Sequence, residues 1–298
     1  MHHFLGMVIR RIIAGLVAGA ASLAVGAGAQ PLPGPQGPAA GSEGGELWLI
    51  PSPQPGVLMR ATVYRPQRAG AAPLAAINHG SDQNEIRRFN YATPTYPIAS
   101  HWFLQRGYAV VVPQRPGHGE TGGRYLEDQG SCEEADYFGS GLATAASIEA
   151  AIDYMTAQAF VRRDGTVAVG QSAGGWGTLA LASRNPPGLK AAINFAGGRG
   201  GHVGGKPDAN CAPDRLVAAA AKFGATARVA TLWLYAQNDS YFAPALAQRM
   251  ADAFRAAGGR ADFHLLPAVK DDGHGLIETP EGAAAWEPVV AEFLAKAK

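Results

Sequence analysis

Cysteine is almost missing from this chain: there are two, Cys132 and Cys211, among 298 residues. Neither sits in a spacing that builds a zinc site. Charged residues are sparse too, at 16%, with 25 basic side chains against 24 acidic ones. A near-balanced chain has no basic footprint for nucleic acid or for an anionic membrane surface, so neither is expected as a partner. No glycine-rich phosphate loop follows any predicted strand, and there is no internal repeat and no coiled-coil heptad. The one long apolar run lies at the start of the chain.

That run, "IIAGLVAGAASLAVGAGA" (12–29), follows Arg10 and Arg11 and ends in Ala27-Gly28-Ala29. Charged, apolar and small residues in that order read as a secretory signal peptide over 1–29. At about 18 residues of mostly Ala and Gly the run is marginal as a membrane span. No stable membrane insertion is therefore expected once it is cleaved, and the mature protein is expected in the periplasm or secreted. Cleavage after Ala29 removes two of the 25 basic side chains and none of the 24 acids, leaving a net charge of −1. Residues 30–45, "QPLPGPQGPAAGSEGG", read as a disordered leader from their proline and glycine content. In an exported chain an even pair of cysteines reads as a disulfide, here Cys132 with Cys211.

Abundance begins with hydrophobic residues, at 47%, enough for one sizeable core over residues 46–298. "ELWLI" (46–50) and "VLMRATVYRP" (57–66) alternate as an antiparallel opening pair of strands. Strand and helix patterns then take turns: strands at 73–80, 108–119, 166–172, 189–198, 229–239 and 261–269, and helices at 96–107, 140–160, 173–184, 213–225, 244–259 and 283–297. Near-continuous apolar strands separated by helices predict an α/β domain, a mostly parallel sheet covered by helices on both faces. Ligands in such sheets sit at the carboxyl ends of the strands.

"VAVGQSAGGWG" (167–177) contains Gly170-Gln171-Ser172-Ala173-Gly174, a G-x-S-x-G pattern. Composition alone would produce the pentapeptide about 0.2 times in such a chain, so its context decides. It falls where a β-branched strand meets a helix pattern, the sharp turn that lifts a serine hydroxyl clear of a sheet. A serine hydroxyl needs a base to become a nucleophile, and the base needs an orienting acid. Asp239 ends the strand "VATLWLYAQND", and His274 in "DDGHG" follows the next strand. The order Ser, Asp, His and the shared strand-end placement make Ser172, Asp239 and His274 a candidate catalytic triad.

Asp271 and Asp272 are rivals close to His274 in sequence; both read as exposed loop charges. Backbone donors for an oxyanion are expected from Ala173, directly after the nucleophile, and from Ser81 in the turn His79-Gly80-Ser81-Asp82. "RPGHGETGG" (115–123) reads as a turn that shapes the site. His101 and His264 read as structural, and His202, in a glycine-rich loop, as a solvated residue or a substrate contact. Arg87, Arg88, Tyr125, Tyr137 and Phe138, on the loops 81–95 and 118–140, are candidate specificity groups.

"INHGSD", "GYAVVVPQRPGHGETGG", "VAVGQSAGGWG", "LYAQNDSYF" and "DDGHG", in this order, resemble the α/β-hydrolase superfamily, especially its dienelactone-hydrolase-like and S9-peptidase-like branches. The resemblance covers residues 46–298 and implies an α/β-hydrolase sheet of about eight strands, no cofactor, and the triad already named. Two departures stand out: dienelactone hydrolases proper carry cysteine where Ser172 stands, and the propeller of large S9 peptidases is not expected here. The function expected is an exported serine hydrolase acting on a small or medium carboxylic ester. A peptidase or amidase with the same triad, with Glu133-Glu134 gripping a substrate amine, and a non-catalytic binding protein on the same fold are the alternatives.

Overall fold

Residues 32–297, with Met1, are described by a computed structural model. The signal peptide expected over 1–29 lies, Met1 apart, outside the described residues. Among the described residues nine strands form one sheet: β1 (Gly34–Pro38), β2 (Glu46–Pro51), β3 (Leu58–Tyr64), β4 (Leu74–Asn78), β5 (Ala109–Pro113), β6 (Thr166–Gln171), β7 (Leu189–Phe195), β8 (Ala230–Ala236) and β9 (Arg260–Leu266). The helices are α1 (Glu85–Phe89), α2 (Pro97–Gln105), α3 (Tyr137–Thr156), α4 (Ala173–Arg184), α5 (Pro213–Thr226), α6 (Pro244–Ala256) and α7 (Pro280–Lys296).

Strand order is β1-β2-β3-β5-β4-β6-β7-β8-β9. The first three strands and the β3–β5 pair run antiparallel; every pair from β5 to β9 is parallel. Without the edge strand β1, eight strands remain, as expected. β4 and β5 are buried along their whole length, as strands covered on both faces must be. On one side α3, α4 and α5 pack together and α6 joins α5; on the other, α2 packs against α7.

One expectation is corrected. The leader segment is not structureless from residue 32 onward: Gly34–Pro38 pairs antiparallel with β2, interrupted by a register shift between Pro35 and Gly37. Proline lacks a backbone donor and is tolerated only at a sheet edge, which is where β1 lies. Composition signalled disorder because Gly and Pro carry no β pattern, yet their carbonyls still accept hydrogen bonds.

The sheet order places the site. From β4 the chain crosses outward to β5, then returns past β4 to build β6 on its other side. This reversal leaves a crevice beyond the carboxyl ends of β4 and β6, the switch point where such sheets bind ligands. Ser81 follows β4, and Ser172 follows β6. Among the described residues no helix is long and apolar enough to cross a membrane.

Candidate active site

Ser172 links the end of β6 to the first residue of α4, with φ 55° and ψ −121°. A positive φ is strained for a residue with a Cβ and persists only where its surroundings enforce it. Here the Ser172 N–H donates to the Phe195 carbonyl at 3.0 Å, and the Ser172 carbonyl accepts from Trp176 at 2.9 Å and Gly198 at 3.2 Å. The flanking glycines have a steric reason. A Cβ on Gly170 would strike the Gly174 backbone, and one on Gly174 would strike the carbonyls of Asn78 and His79. The turn therefore closes only because α4 starts against the ends of β4 and β6.

His274 stands in the 3-10 turn Gly273–Glu278 after β9. Its Nδ1 lies 3.1 Å from Asp239 Oδ1, with the Asp239 side chain fully buried and that of His274 12% exposed. Asp239 Oδ1 also accepts from the backbone N–H of Tyr241 at 2.9 Å and of Phe242 at 3.0 Å. With Nδ1 turned to the carboxylate, Nε2 is the free edge of the imidazole. His274, Ser172, Ala173 and Ser81 all line one open cleft of about 740 Å³. Ser172, Ala173, Ser81 and His274 therefore border the same cleft, with Asp239 paired to His274.

Ser81 is held by a chain of side chains. His118 Nδ1 faces the carbonyls of Arg115 and Pro116 at 3.2 and 3.3 Å, so it carries the proton and Nε2 accepts from the Ser81 hydroxyl at 2.9 Å. The Ser81 oxygen in turn accepts from Tyr125 at 3.1 Å, and Tyr125 accepts from Arg199 at 3.0 Å. Burial lowers the pKa of His118 to about 4, which keeps it neutral and able to accept. Beneath this chain Glu127 is sealed between Arg115 and Arg199. Burial alone would raise its pKa; the two guanidiniums overcome that and hold it well below the usual carboxylate range. Arg115 also donates its backbone N–H to His79 Nε2 at 3.1 Å and its guanidinium to the His79 carbonyl at 2.8 Å. The "RPGHGETGG" turn therefore buttresses the Ser81 loop, as a shape-giving element.

Other readings change. Asp271 is exposed, but Asp272 is no loose loop charge: its Oδ1 caps the His274 N–H at 2.9 Å, and its Oδ2 accepts from the Ser240 hydroxyl at 2.6 Å. It ties the two loops that carry His274 and Asp239. Of the candidate specificity groups only Arg87 lines the cleft, paired with Asp82 at 3.1 Å. Arg88 stacks over Tyr125 at 3.8 Å, Tyr137 is buried and donates to the Cys211 carbonyl, and Phe138 stacks on Phe223. Glu133 and Glu134 are exposed and lie outside the cleft lining. Cys132 and Cys211 form a disulfide at the cleft rim.

Sequence reasoning passed over Gln171, whose Nε2 donates to the His274 carbonyl at 3.1 Å while its Oε1 accepts from Tyr96 at 3.3 Å. Its place as the variable residue of G-x-S-x-G was the only signal. Among the described residues no group of three or more His, Cys, Asp or Glu side chains is placed to hold a metal ion.

The sheet order, the strained serine turn and the His274–Asp239 pair define an α/β-hydrolase. The chain belongs to the X-Pro dipeptidyl-peptidase (S15) family, whose model matches residues 55–257. Among solved structures it is similar to an acylaminoacyl peptidase bound to Z-Gly-Gly-Phe-chloromethyl ketone, with TM-score 0.63 and 14% identity over 85% of this chain and 41% of that one. A Mycobacterium tuberculosis puromycin-hydrolyzing peptidase gives TM-score 0.59 and 16% identity over 85% and 40%. Acetyl xylan esterase 1 from Thermoanaerobacterium sp. gives TM-score 0.58 and 13% identity over 89% and 88%. This chain spans about two fifths of either peptidase, and at these identities the likeness is one of fold. No curated protein matches it by sequence.

Proposed function

We propose that the protein is an exported serine hydrolase that cleaves small or medium carboxylic esters through an acyl-enzyme. The observation that carries the reading is the His274–Asp239 pair opening onto the cleft that holds the strained Ser172. In this reading Ser172 Oγ attacks the acyl carbon while its proton passes to His274 Nε2, and Asp239 stabilises the imidazolium. The carbonyl oxygen, now an oxyanion, takes hydrogen bonds from the backbone N–H groups of Ala173 and Ser81. Ala173 opens α4, so its N–H has no helical acceptor, and the Ser81 N–H has no protein acceptor among the described residues. Each such donor contributes about 3–4 kcal/mol to the barrier reduction. Collapse breaks the ester C–O bond, His274 returns the proton to the alcohol, and water repeats the sequence on the acyl-enzyme.

Esters are favoured over peptides by the cleft lining. Among the described residues its only carboxylate, Asp82, is already engaged by Arg87 and by the Asn84 N–H, which leaves no free acid there for a substrate ammonium. Size follows from the cleft, which matches small-molecule sites. The loop from Gly198 to Cys211 is tied by the disulfide and by the Asn210 amide on the Tyr241 carbonyl, unlike a mobile lipase lid. Family membership favours a second reading, a peptidase or amidase using the same residues. Export rests on the leader composition and on the disulfide.

The test pairs a fluorophosphonate probe with a substrate panel. Wild type is expected to be labelled at Ser172 and to turn over aryl acetates and butyrates much faster than aminoacyl or X-Pro amides, and Ser172→Ala to lose both activities. Faster amide turnover would establish the peptidase reading. An unlabelled, inactive folded wild type would leave a binding protein on this fold.

A further inference from the structure

The rings around His274 form an arrangement that the proposed chemistry does not yet use. Tyr241 stacks on the His274 imidazole, centroids 4.0 Å apart and planes 22° from parallel. On Tyr241 a second imidazole, His202, stacks at 3.5 Å and 13°. Two rings cannot share one face at such distances, so Tyr241 is sandwiched between the two histidines. Hydrogen bonds pin the column. The Ser240 hydroxyl donates to Asp272, so its oxygen accepts from His202 Nε2 at 2.8 Å. The Tyr241 N–H donates to Asp239, and its carbonyl accepts from Asn210 at 2.6 Å. The phenol hydroxyl itself has no hydrogen-bond partner among the described residues, which leaves the ring face as the part in use.

We propose that Tyr241, backed by His202, is a positioning residue for the general base: its π face supports the imidazolium that His274 becomes. The proposal rests on His274 acting as base. Before proton transfer the imidazole is neutral and gains little from the ring. When the Ser172 O–H bond breaks and the N–H bond forms at His274 Nε2, a positive charge appears directly over an electron-rich face. An interaction that strengthens as the reaction proceeds lowers the barrier, whereas one equal in both states does not.

Other groups face the same rings. Asp239 meets His274 at Nδ1, Asp272 holds the backbone N–H, and Phe242 lies 5.7 Å from the imidazole. Around Tyr241 lie Asp82, Asp272, Arg87 and Asp239. Burial, helped by Asp82 and Asp272, raises the Tyr241 pKa, so the ring stays neutral at working pH.

The experiment compares Tyr241→Phe and Tyr241→Leu in the full chain, by kcat and kcat/KM against pH on an aryl acetate and by the rate of fluorophosphonate labelling. Leucine removes the π face and is expected to lower kcat about 3- to 20-fold, the range that a cation–π contact supports. It also moves the acid limb of kcat/KM to lower pH, because the protonated imidazole has lost a stabilising partner. Phenylalanine keeps the face and restores most of both. If the leucine variant does not fold by circular dichroism, Tyr241→Met carries the same expectation. A leucine or methionine variant with the wild-type kcat and acid limb, or a phenylalanine variant as impaired as leucine, overturns the proposal. A wild type that takes no label at Ser172 refutes the base assignment instead, so the two failures are distinct.

Discussion

Glu127 offers a quantitative test of how the cleft wall is held. Its carboxylate is 1% exposed between Arg115 and Arg199, whose side chains are 0% and 1% exposed. Glu127→Gln keeps the shape and removes the charge, leaving two buried guanidiniums with no counter-ion. Removing one partner of a buried pair costs about 3–5 kcal/mol, a large part of the roughly 5–15 kcal/mol that stabilises a domain. With a urea dependence of about 3 kcal/mol per molar for a chain of this size, the midpoint should fall by about 1–1.7 M. Tryptophan fluorescence reports it, since Trp176, Trp233 and Trp286 are fully buried. The pH dependence has a definite sign. The folded pKa lies well below the ordinary 4.5, so the wild-type advantage is complete above that value. It shrinks as pH falls below it, because the unfolded chain takes up a proton that the folded one refuses. A midpoint within about 0.3 M of wild type at pH 7, or a gap that widens on acidification, would refute the assignment.

Further outcomes are expected. Reducing the Cys132–Cys211 disulfide, which joins residues 79 apart, should destabilise the protein by about 4–5 kcal/mol on the chain-entropy model; thermal melts with and without reductant check this, and unchanged melts contradict it. Gly174→Ala places a methyl group against the Asn78 and His79 carbonyls, and should cost about 1–3 kcal/mol by overpacking while slowing probe labelling of Ser172. Glu278 is pushed up to about 8 by burial. Its folded form therefore keeps a proton that the unfolded chain loses from about 4.5 upward, and stability should drop by roughly 2 kcal/mol or more between pH 5 and 8. Glu278→Gln should flatten that profile in urea titrations, and an unaltered slope would show that another group controls it.

Local pattern carried much of this protein. The alternation of "VLMRATVYRP", the apolar run of "YAVVV" and the glycines around Ser172 depend on residues a few positions apart, and steric and hydrophobic demands at that range are readable without a fold. They marked β2 to β9, α2 to α7 and the turn that carries the serine, though not the short α1 inside the segment read as a loop, and strand ends then ordered Ser172, Asp239 and His274 along the chain. β1 escaped because Gly and Pro carry no β signature and its pairing is supplied by β2.

What only the tertiary structure decided concerns groups brought together from separate loops. Asp272 binds Ser240 and caps His274 because two strand ends lie side by side. Tyr241 meets His274 and His202 through ring stacking, to which no spacing in the chain corresponds. Arg115, Glu127 and Arg199 are three ordinary loop charges in sequence and become a sealed ion cluster only when burial removes the water between them. The division follows the range of the forces: backbone sterics and hydrophobic period act along the chain, whereas stacking, desolvation and ion pairing depend on distances that exist only after folding.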